Sequence, residues 1–529
     1  MQFLKNCHFE NPFTFDARAL AVFRISLGVI ILADLFLRTL GFKLFHTDLG
    51  LLPLDGLYKV AWKDWYFSVY TISGSPMVVG ILFALAAVLA VLLILGYRTR
   101  LVTALSWFML VSLHMRNPAV LQGADVVLRL LLFWSIFMPL GCVWSLDALR
   151  KKEPSPNLSV FNGGTVAYIL QIVIIYFFTG ILKDGTTWQE GTAIYYALQN
   201  DHFSTKLGHW VSHFSSLTYL INYGTLILEI YGPLLLFIPF CVQRVRTLVV
   251  PLFVLMHLSF IFLMYIGLFP WISIICWIPF FPNWVWDKFP QIGYFLENIF
   301  TKIYTYFPQP LSYTPNEKWV KIKKIAANVA SIIALYLIAL VALWNFNYMH
   351  YITMPDALKP TVRQLRLDQK WSMFAPNPPR ADGWFVVRGN LADGSTVDLL
   401  QDGASFTEQR PKWIYDHFPT PQYRWRKYLT NIISKSNKGY RMYLGKYYCK
   451  CWNTYEKRMN TPQELQTLTV IYMREQNLPD FKAEAPVEKV LWNHWCKPEY
   501  KKLIYKDKTE KEIEQDNNGD SVDEEVSDN

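Results

Sequence analysis

The sequence predicts an all-α polytopic membrane bundle of about nine transmembrane helices, followed by a small, partly β, extracytoplasmic C-terminal domain. Three observations predict it. The 529 residues are 52% hydrophobic, 16% aromatic and only 17% charged, too apolar for a soluble domain of this size. Apolar segments of membrane-crossing length recur through the first 350 residues. Beyond Asn347 the pattern changes to polar, proline-bearing links and alternating strands.

Taken in order, candidate spans lie near 19–39, 77–96, 100–116, 122–144, 163–183, 216–240, 246–264, 265–284 and 325–347. Each is close to the roughly 20 residues that cross about 30 Å of hydrocarbon. The first contains Arg24 and Asp34, follows an acidic lead and has no small-residue cleavage site, so it is read as a retained helix and not as a removed signal peptide. Alternate loops carry Arg98 and Arg100, then Arg150, Lys151 and Lys152, then Arg244 and Arg246, then Lys318, Lys321, Lys323 and Lys324. The positive-inside rule makes that side cytoplasmic. The amino terminus is then cytoplasmic and the chain after Trp344 extracytoplasmic, in a bacterial inner membrane or the endoplasmic reticulum.

The formal charge of +10 is uneven, because residues 507–529 hold ten acids and two lysines and leave about +18 on the rest. In so apolar a chain this charge marks inner loops and the region 410–506, and no nucleic-acid partner is predicted. Of seven cysteines, Cys449, Cys451 and Cys496 fall on the oxidising side, where a disulfide such as Cys451 to Cys496 is expected. Cys449-Lys450-Cys451 lacks the spacing and the histidine partner of a zinc site and reads as strand cysteines on one face; no metal is predicted.

Three regions follow: a transmembrane domain over 1–350, an α+β domain over 361–506 and a disordered acidic tail over 507–529. In the second, Gly383 to Gly389 and Ser395 to Leu400 flank Asp393-Gly394, a hairpin signal. Tyr440 to Trp452 and Leu468 to Met473 read as further strands or short helices.

The orientation puts four titratable groups from four helices at one level. Lys183 ends the fifth span, Asp125 opens the fourth, His114 closes the third, and His257 lies in the outer half of the seventh, about 10 to 15 Å below the surface at 1.5 Å per residue. Charges inside a membrane are costly and mark function unless they are paired or reach water. Plain readings stand beside the functional one. Lys183 can be a snorkelling anchor, His114 an interface residue, and His257 a core hydrogen bond between helices. Asp125 and Arg129, four residues apart on one helix face, can neutralise each other. Asp34 with Arg38, and Glu229 in the sixth span, read as members of intramembrane pairs.

Several segments occur in an order that is familiar: Phe15 to Gly28 with Asp34; His46-Thr-Asp-Leu-Gly50; Arg116-Asn-Pro118 followed by Gly123-Ala-Asp125; Tyr176 to Gly191; and His257 followed by Ile266 to Pro270. Over most of residues 12–290 they resemble the vitamin K-dependent γ-carboxylase superfamily, whose bacterial members carry the HTTM (horizontally transferred transmembrane) domain. Trp371 to Pro379 and Asp382-Gly-Trp384 are similar to bacterial members. The resemblance implies that Lys183 deprotonates reduced vitamin K, whose reaction with oxygen gives a strong base; that base removes a glutamate γ-proton and carbon dioxide traps the carbanion. It also implies that His257 belongs to the buried site. For such work the lysine must be neutral, and desolvation lowers an amine's pKa. The chain departs from the animal enzyme where the histidine that assists carboxylation would fall near Asp125, since no histidine occurs from 115 to 201. Its short extracytoplasmic part also leaves little surface for a propeptide.

The resulting expectation is an outer-leaflet cavity that binds reduced vitamin K or another quinol. Lys183, His257 and Asp125 are its catalytic candidates, and His114, Asn117, Tyr176, Trp188 and Arg129 its substrate-binding candidates. The C-terminal domain covers it, and the partners are a membrane lipid and an extracytoplasmic peptide or protein substrate. The alternative is a non-catalytic lipid or peptide handler, such as a maturation or export factor or a transporter. Nothing in the sequence sets an oligomeric state.

Overall fold

A computed structural model describes residues 8–150, 158–306, 317–411, 421–459 and 463–504; the acidic tail 507–529 lies outside the described residues. The helices used below are α1 (Ala17–Thr39), α2 (Pro76–Leu95), α3 (Thr99–Arg116), α4 (Gly123–Ser135), α5 (Gly163–Ile181), α6 (Ser215–Tyr231), α7 (Val242–Leu263), α8 (Phe269–Ile275), α9 (Pro290–Tyr304), α10 (Glu317–Tyr348), α11 (Pro421–Ile433) and α12 (Gly439–Met459). Among the described residues, six helical segments are long and apolar enough to cross a membrane: those over 17–39, 76–95, 163–181, 215–237, 242–263 and 321–348.

The other three expected spans take different forms. Residues 100–116 do form the helix α3, but Arg100, His114 and Arg116 dilute its apolar content. The segment 122–144 holds only the 13-residue α4, which stops ahead of Pro139, where a missing N–H and a ring clash end helices. In 265–284, α8 is followed by the single turn Ile278–Phe280.

Burial ranks the helices. In α5, 78% of the apolar window is buried, against 28% in the windows of α6, α7 and α10, so α5 is the axis of the bundle and the others face lipid. A capping box between Asn162 and Thr165 starts α5. At the same end of the bundle, the wholly buried Arg24 of α1 is held by backbone carbonyls. It donates to the carbonyls of Leu140, Ile94 and Trp144 at 3.0, 3.2 and 2.5 Å, oxygens that helix ends leave unpaired.

The C-terminal region is a five-stranded antiparallel sheet of β1 (Ala381–Leu391), β2 (Thr396–Asp398), β3 (Ala404–Ser405), β4 (Leu465–Gln476) and β5 (Val487–Trp495), in the order β3-β2-β1-β4-β5. The hairpin expected at Asp393-Gly394 joins β1 to β2. Gly394 has φ +84°, a conformation that glycine adopts without strain, and Asp393 accepts from the Ser395 amide at 2.9 Å.

The segment 440–452, expected as strands or short helices, lies within the single helix α12. This corrects the cysteine reading, because Cys449 joins Cys496 with Cα atoms 5.3 Å apart and Cys451 is an exposed thiol. Two residues of helix turn a side chain by about 200°, so only Cys449 faces the sheet. Cys241, in the loop of Arg244, is disulfide-bonded as well, where the sequence assigned a reducing side.

Sheet and bundle share their packing. Tyr428, Leu429 and Ile432 of α11 and Tyr443 and Leu444 of α12 pack in one core with Phe45, Leu51, Leu52 and Leu57 from the connection after α1. The link after α10 puts Met354, Val362, Leu367 and Trp371 into the core of the membrane helices.

Candidate active site

Lys183 sits two residues past α5, where its amide still donates to the Gly180 carbonyl at 3.1 Å. Its side chain is 4% exposed, and its ammonium meets the Glu229 carboxylate of α6, itself 6% exposed. The nitrogen also lies 5.2 Å above the Trp188 ring. Gly180 permits this pairing, because a Cβ there would come within 2.6 Å of Ile230 and 3.2 Å of the Glu229 Cβ. Where the sequence read Lys183 as a neutral amine beside a cavity, the structure sets an acid and an aromatic ring against it, and this partner was missed although Glu229 had been marked as a charge in need of one.

About 10 Å along α5 from Lys183, at 1.5 Å per residue, lies a second polar group. The Tyr176 hydroxyl is 2.6 Å from His257 Nε2 and accepts from Trp277 Nε1 at 2.9 Å, while Cys276 Sγ stands at 3.7 Å. On the far side of the ring, His257 Nδ1 is buried and has no hydrogen-bond partner among the described residues. Phe253, stacked on Trp277 at 4.1 Å, and Phe260 and Phe269, at 5.5 and 6.2 Å from His257, wall the group with rings.

The other sequence candidates gather elsewhere. Asp125, at the start of α4, accepts from the Gln122 amide at 2.9 Å and pairs with Arg38 at 2.5 Å and Arg424 at 3.2 Å. Asp34 pairs with the same two arginines at 2.7 and 2.8 Å. The Asp34–Arg38 pair is the one that its four-residue spacing suggested. Asp125 and Arg129 do not neutralise each other, since Arg129 is turned to the backbone and carboxylate of Asp368. His114 Nε2 stands 3.5 Å from Asp125, and the Asn117 side chain is spent on the backbone of Phe45 and Ala119. Arg424, from α11, had no signal in the sequence beyond being a cation in a basic stretch. His46, just after α1, lies well below the ordinary imidazole pKa, from burial first and then from the charges of Arg38, Arg424 and Arg116, so it is neutral.

One strap joins the two groups. Asp368 takes Arg129, Gln369 bonds Gln171 at 2.8 Å, the Phe374 carbonyl accepts from Trp188 at 2.8 Å, and Asn377 accepts from Thr187 at 2.7 Å. Phe269 and Met373 lie against Gly123, and Phe269 also faces His257. The arrangement thus supplies an amine–carboxylate pair, an unpartnered imidazole nitrogen and aromatic walls under one strap.

No solved structure matches this chain. Residues 13–286, which hold every helix from α1 to α8, match the HTTM domain, a domain also found in vitamin K-dependent carboxylase. That match covers more than half of the sequence, and with the helical bundle described above it establishes that the chain belongs to the HTTM domain family.

Proposed function

We propose that this protein is a membrane enzyme that binds a quinol-like lipid between α5, α6 and α7 and uses Lys183 as the base that takes a proton from it. The observation that carries this reading is the Lys183–Glu229 pair, buried between the end of the central helix and α6, together with a His257 nitrogen that has no partner. The residues fit such a ligand: the ring of a quinol suits the aromatic walls of Phe253, Phe260 and Phe269, and one of its oxygens suits His257 Nδ1. Reduced vitamin K or a related quinol would supply an oxidisable phenol.

The chain's own part is proton handling. Glu229 can hold the lysine's proton within the pair, which leaves a neutral amine able to form an N–H bond as the phenol O–H breaks. Trp188 keeps the amine apart from water, and the hydrogen bond between Tyr176 and His257 Nε2 orients the imidazole. In this reading Asp125 acts at a distance, by fixing the C-terminal region over the site. The chain crosses the membrane nine times with the sheet outside, and the modified partner is a peptide on that side.

Lys183→Ala should abolish turnover of a reduced quinone, measured by loss of the quinol absorbance, with insertion and thermal unfolding retained in detergent. Undiminished turnover removes the base assignment. A second reading, a non-catalytic lipid or peptide handler, is favoured by the structural contacts that consume three sequence candidates, Asp125, Asn117 and Arg129. Lys183→Arg separates the two, because arginine keeps the charge but cannot act as a base: native function retained in that variant supports a binding role.

Sidedness is open to a direct test. Basic loops put Arg244 in the cytosol and the sheet outside, whereas the Cys241 and Cys449–Cys496 disulfides each require an oxidising compartment. In sealed, right-side-out vesicles, an impermeant maleimide should label Cys451, which is exposed on the sheet-bearing side. Labelling that appears only after the vesicles are opened inverts the topology.

A further inference from the structure

The lattice of Asp34, Arg38, Asp125 and Arg424 is surrounded by buried polar atoms with no partner. His46, Tyr70 and His114 are 1%, 0% and 1% exposed. Yet both nitrogens of His46, Nδ1 of His114, the Tyr70 hydroxyl and one Nη of Arg38 make no hydrogen bond, and His114 Nε2 has only Asp125 at 3.5 Å. Buried polar groups are almost always satisfied, by protein, water or ligand, so this many orphans in one place mark a space that holds something.

They share that space. His46 is within electrostatic reach of Arg38, Arg116, Arg424 and Asp125, and Tyr70 is within reach of Arg38. His114 closes on Asp125 from α3. The Phe83 ring packs 5.5 Å from His46 and 5.8 Å from Tyr70. Phe83 also lines an apolar groove of about 530 Å³ between α1 and α2, together with Leu35, Phe36, Phe42 and Ala84. One phenyl ring therefore touches both a slot suited to a hydrocarbon chain and a pair of buried hydrogen-bonding side chains.

The charge around these groups is biased. Arg38, Arg116, Arg129, Arg366 and Arg424 face Asp34, Asp48, Asp125 and Asp368, and the half-buried Lys427 of α11 adds a further cation within electrostatic reach of Asp125. A surplus of cations with several free donors from different elements suits a multi-oxygen anion, which can meet them all at once. We infer that His46, Tyr70, His114 and Arg38 form a second ligand site, separate from Lys183, that binds a phosphate-type oxyanion, either free phosphate or the head group of an anionic phospholipid whose chain lies in the groove.

The test uses the full chain in dodecyl maltoside, a phosphate-free detergent, with the thermal unfolding midpoint as readout. Inorganic phosphate at millimolar concentration should raise the midpoint above that in chloride of equal ionic strength if the free ion is the ligand. If the head group is the ligand, phosphatidylglycerol in the micelle should raise it and inorganic phosphate should not. In Tyr70→Phe, and separately in His46→Leu, the half-saturating concentration should rise about tenfold, the effect of about 1.4 kcal/mol. Both variants should keep or raise the unliganded midpoint, because each removes an orphaned polar group while filling its volume. No response to either phosphate source overturns the proposal, as does a response that both variants retain at native strength. A lowered unliganded midpoint with an unaltered response assigns the residues a packing role and overturns it too.

Discussion

Arg424→Met should lower the stability of the whole chain by about 3–5 kcal/mol and loosen the sheet from the bundle. Arg424 donates to Asp34 at 2.8 Å and to Asp125 at 3.2 Å, and all three side chains are less than a tenth exposed. Removal of one member of a buried ionic group leaves the rest uncompensated, which costs about 3–5 kcal/mol even where the intact group itself gives little net stability. Arg38 would remain as the one cation shared by two carboxylates. The measurement is thermal unfolding in detergent alongside limited proteolysis of residues 381–504, which should become susceptible in the variant. Arg424→Lys should restore only part of the loss, because a point-like ammonium cannot span two acids as a forked guanidinium does. A midpoint within error of the native protein would show that the lattice holds nothing together.

Glu229→Leu is the second large effect, and the comparison with its double variant is the informative part. Alone, the change leaves Lys183 buried beneath Trp188 with no counter-charge, at a cost of about 3–5 kcal/mol. Lys183→Met combined with Glu229→Leu puts apolar side chains of similar volume in the same place, and stability should return to the native value or exceed it. The double-mutant cycle then gives the coupling between the two residues directly. Both forms should lack quinol turnover. That combination, full stability without activity, separates a chemical role for the pair from a structural one. If Glu229→Leu unfolds no more easily than the native chain, then the lysine reaches water by another route and the pair is not closed.

Much of this was legible in local patterns. Six apolar runs became helices of crossing length, and the i,i+4 pair of Asp34 and Arg38 formed because both ends lie on one helix. Asp-Gly at 393–394 gave its turn because the geometry there depends on two adjacent residues. What was not legible depends on contacts far apart in the chain. Asp125 had Arg129 as a partner by spacing, but Arg38 and Arg424 come from 87 and 299 residues away. A helix face says nothing about which distant cation will reach it. The disulfide was misassigned for a related reason: whether Cys449 or Cys451 faces inward depends on whether their segment is strand or helix, and its aromatic, alternating composition pointed to the wrong one. Glu229 was not joined to Lys183 from the sequence, since the expected sixth span sets it about 20 Å below its outer start at 1.5 Å per residue, away from the outer end where Lys183 was placed.

The long-range lattice has a consequence for how the protein is made. Asp34 and Asp125 enter the membrane early in synthesis, whereas Arg424 emerges 390 residues after the first of them. Until then one arginine must serve both acids, so the newly inserted helices wait in a half-neutralised state, open to quality control. A ribosome that stalls before residue 424 would release a bundle whose last bolt is missing, and cells should clear that fragment faster than the finished chain.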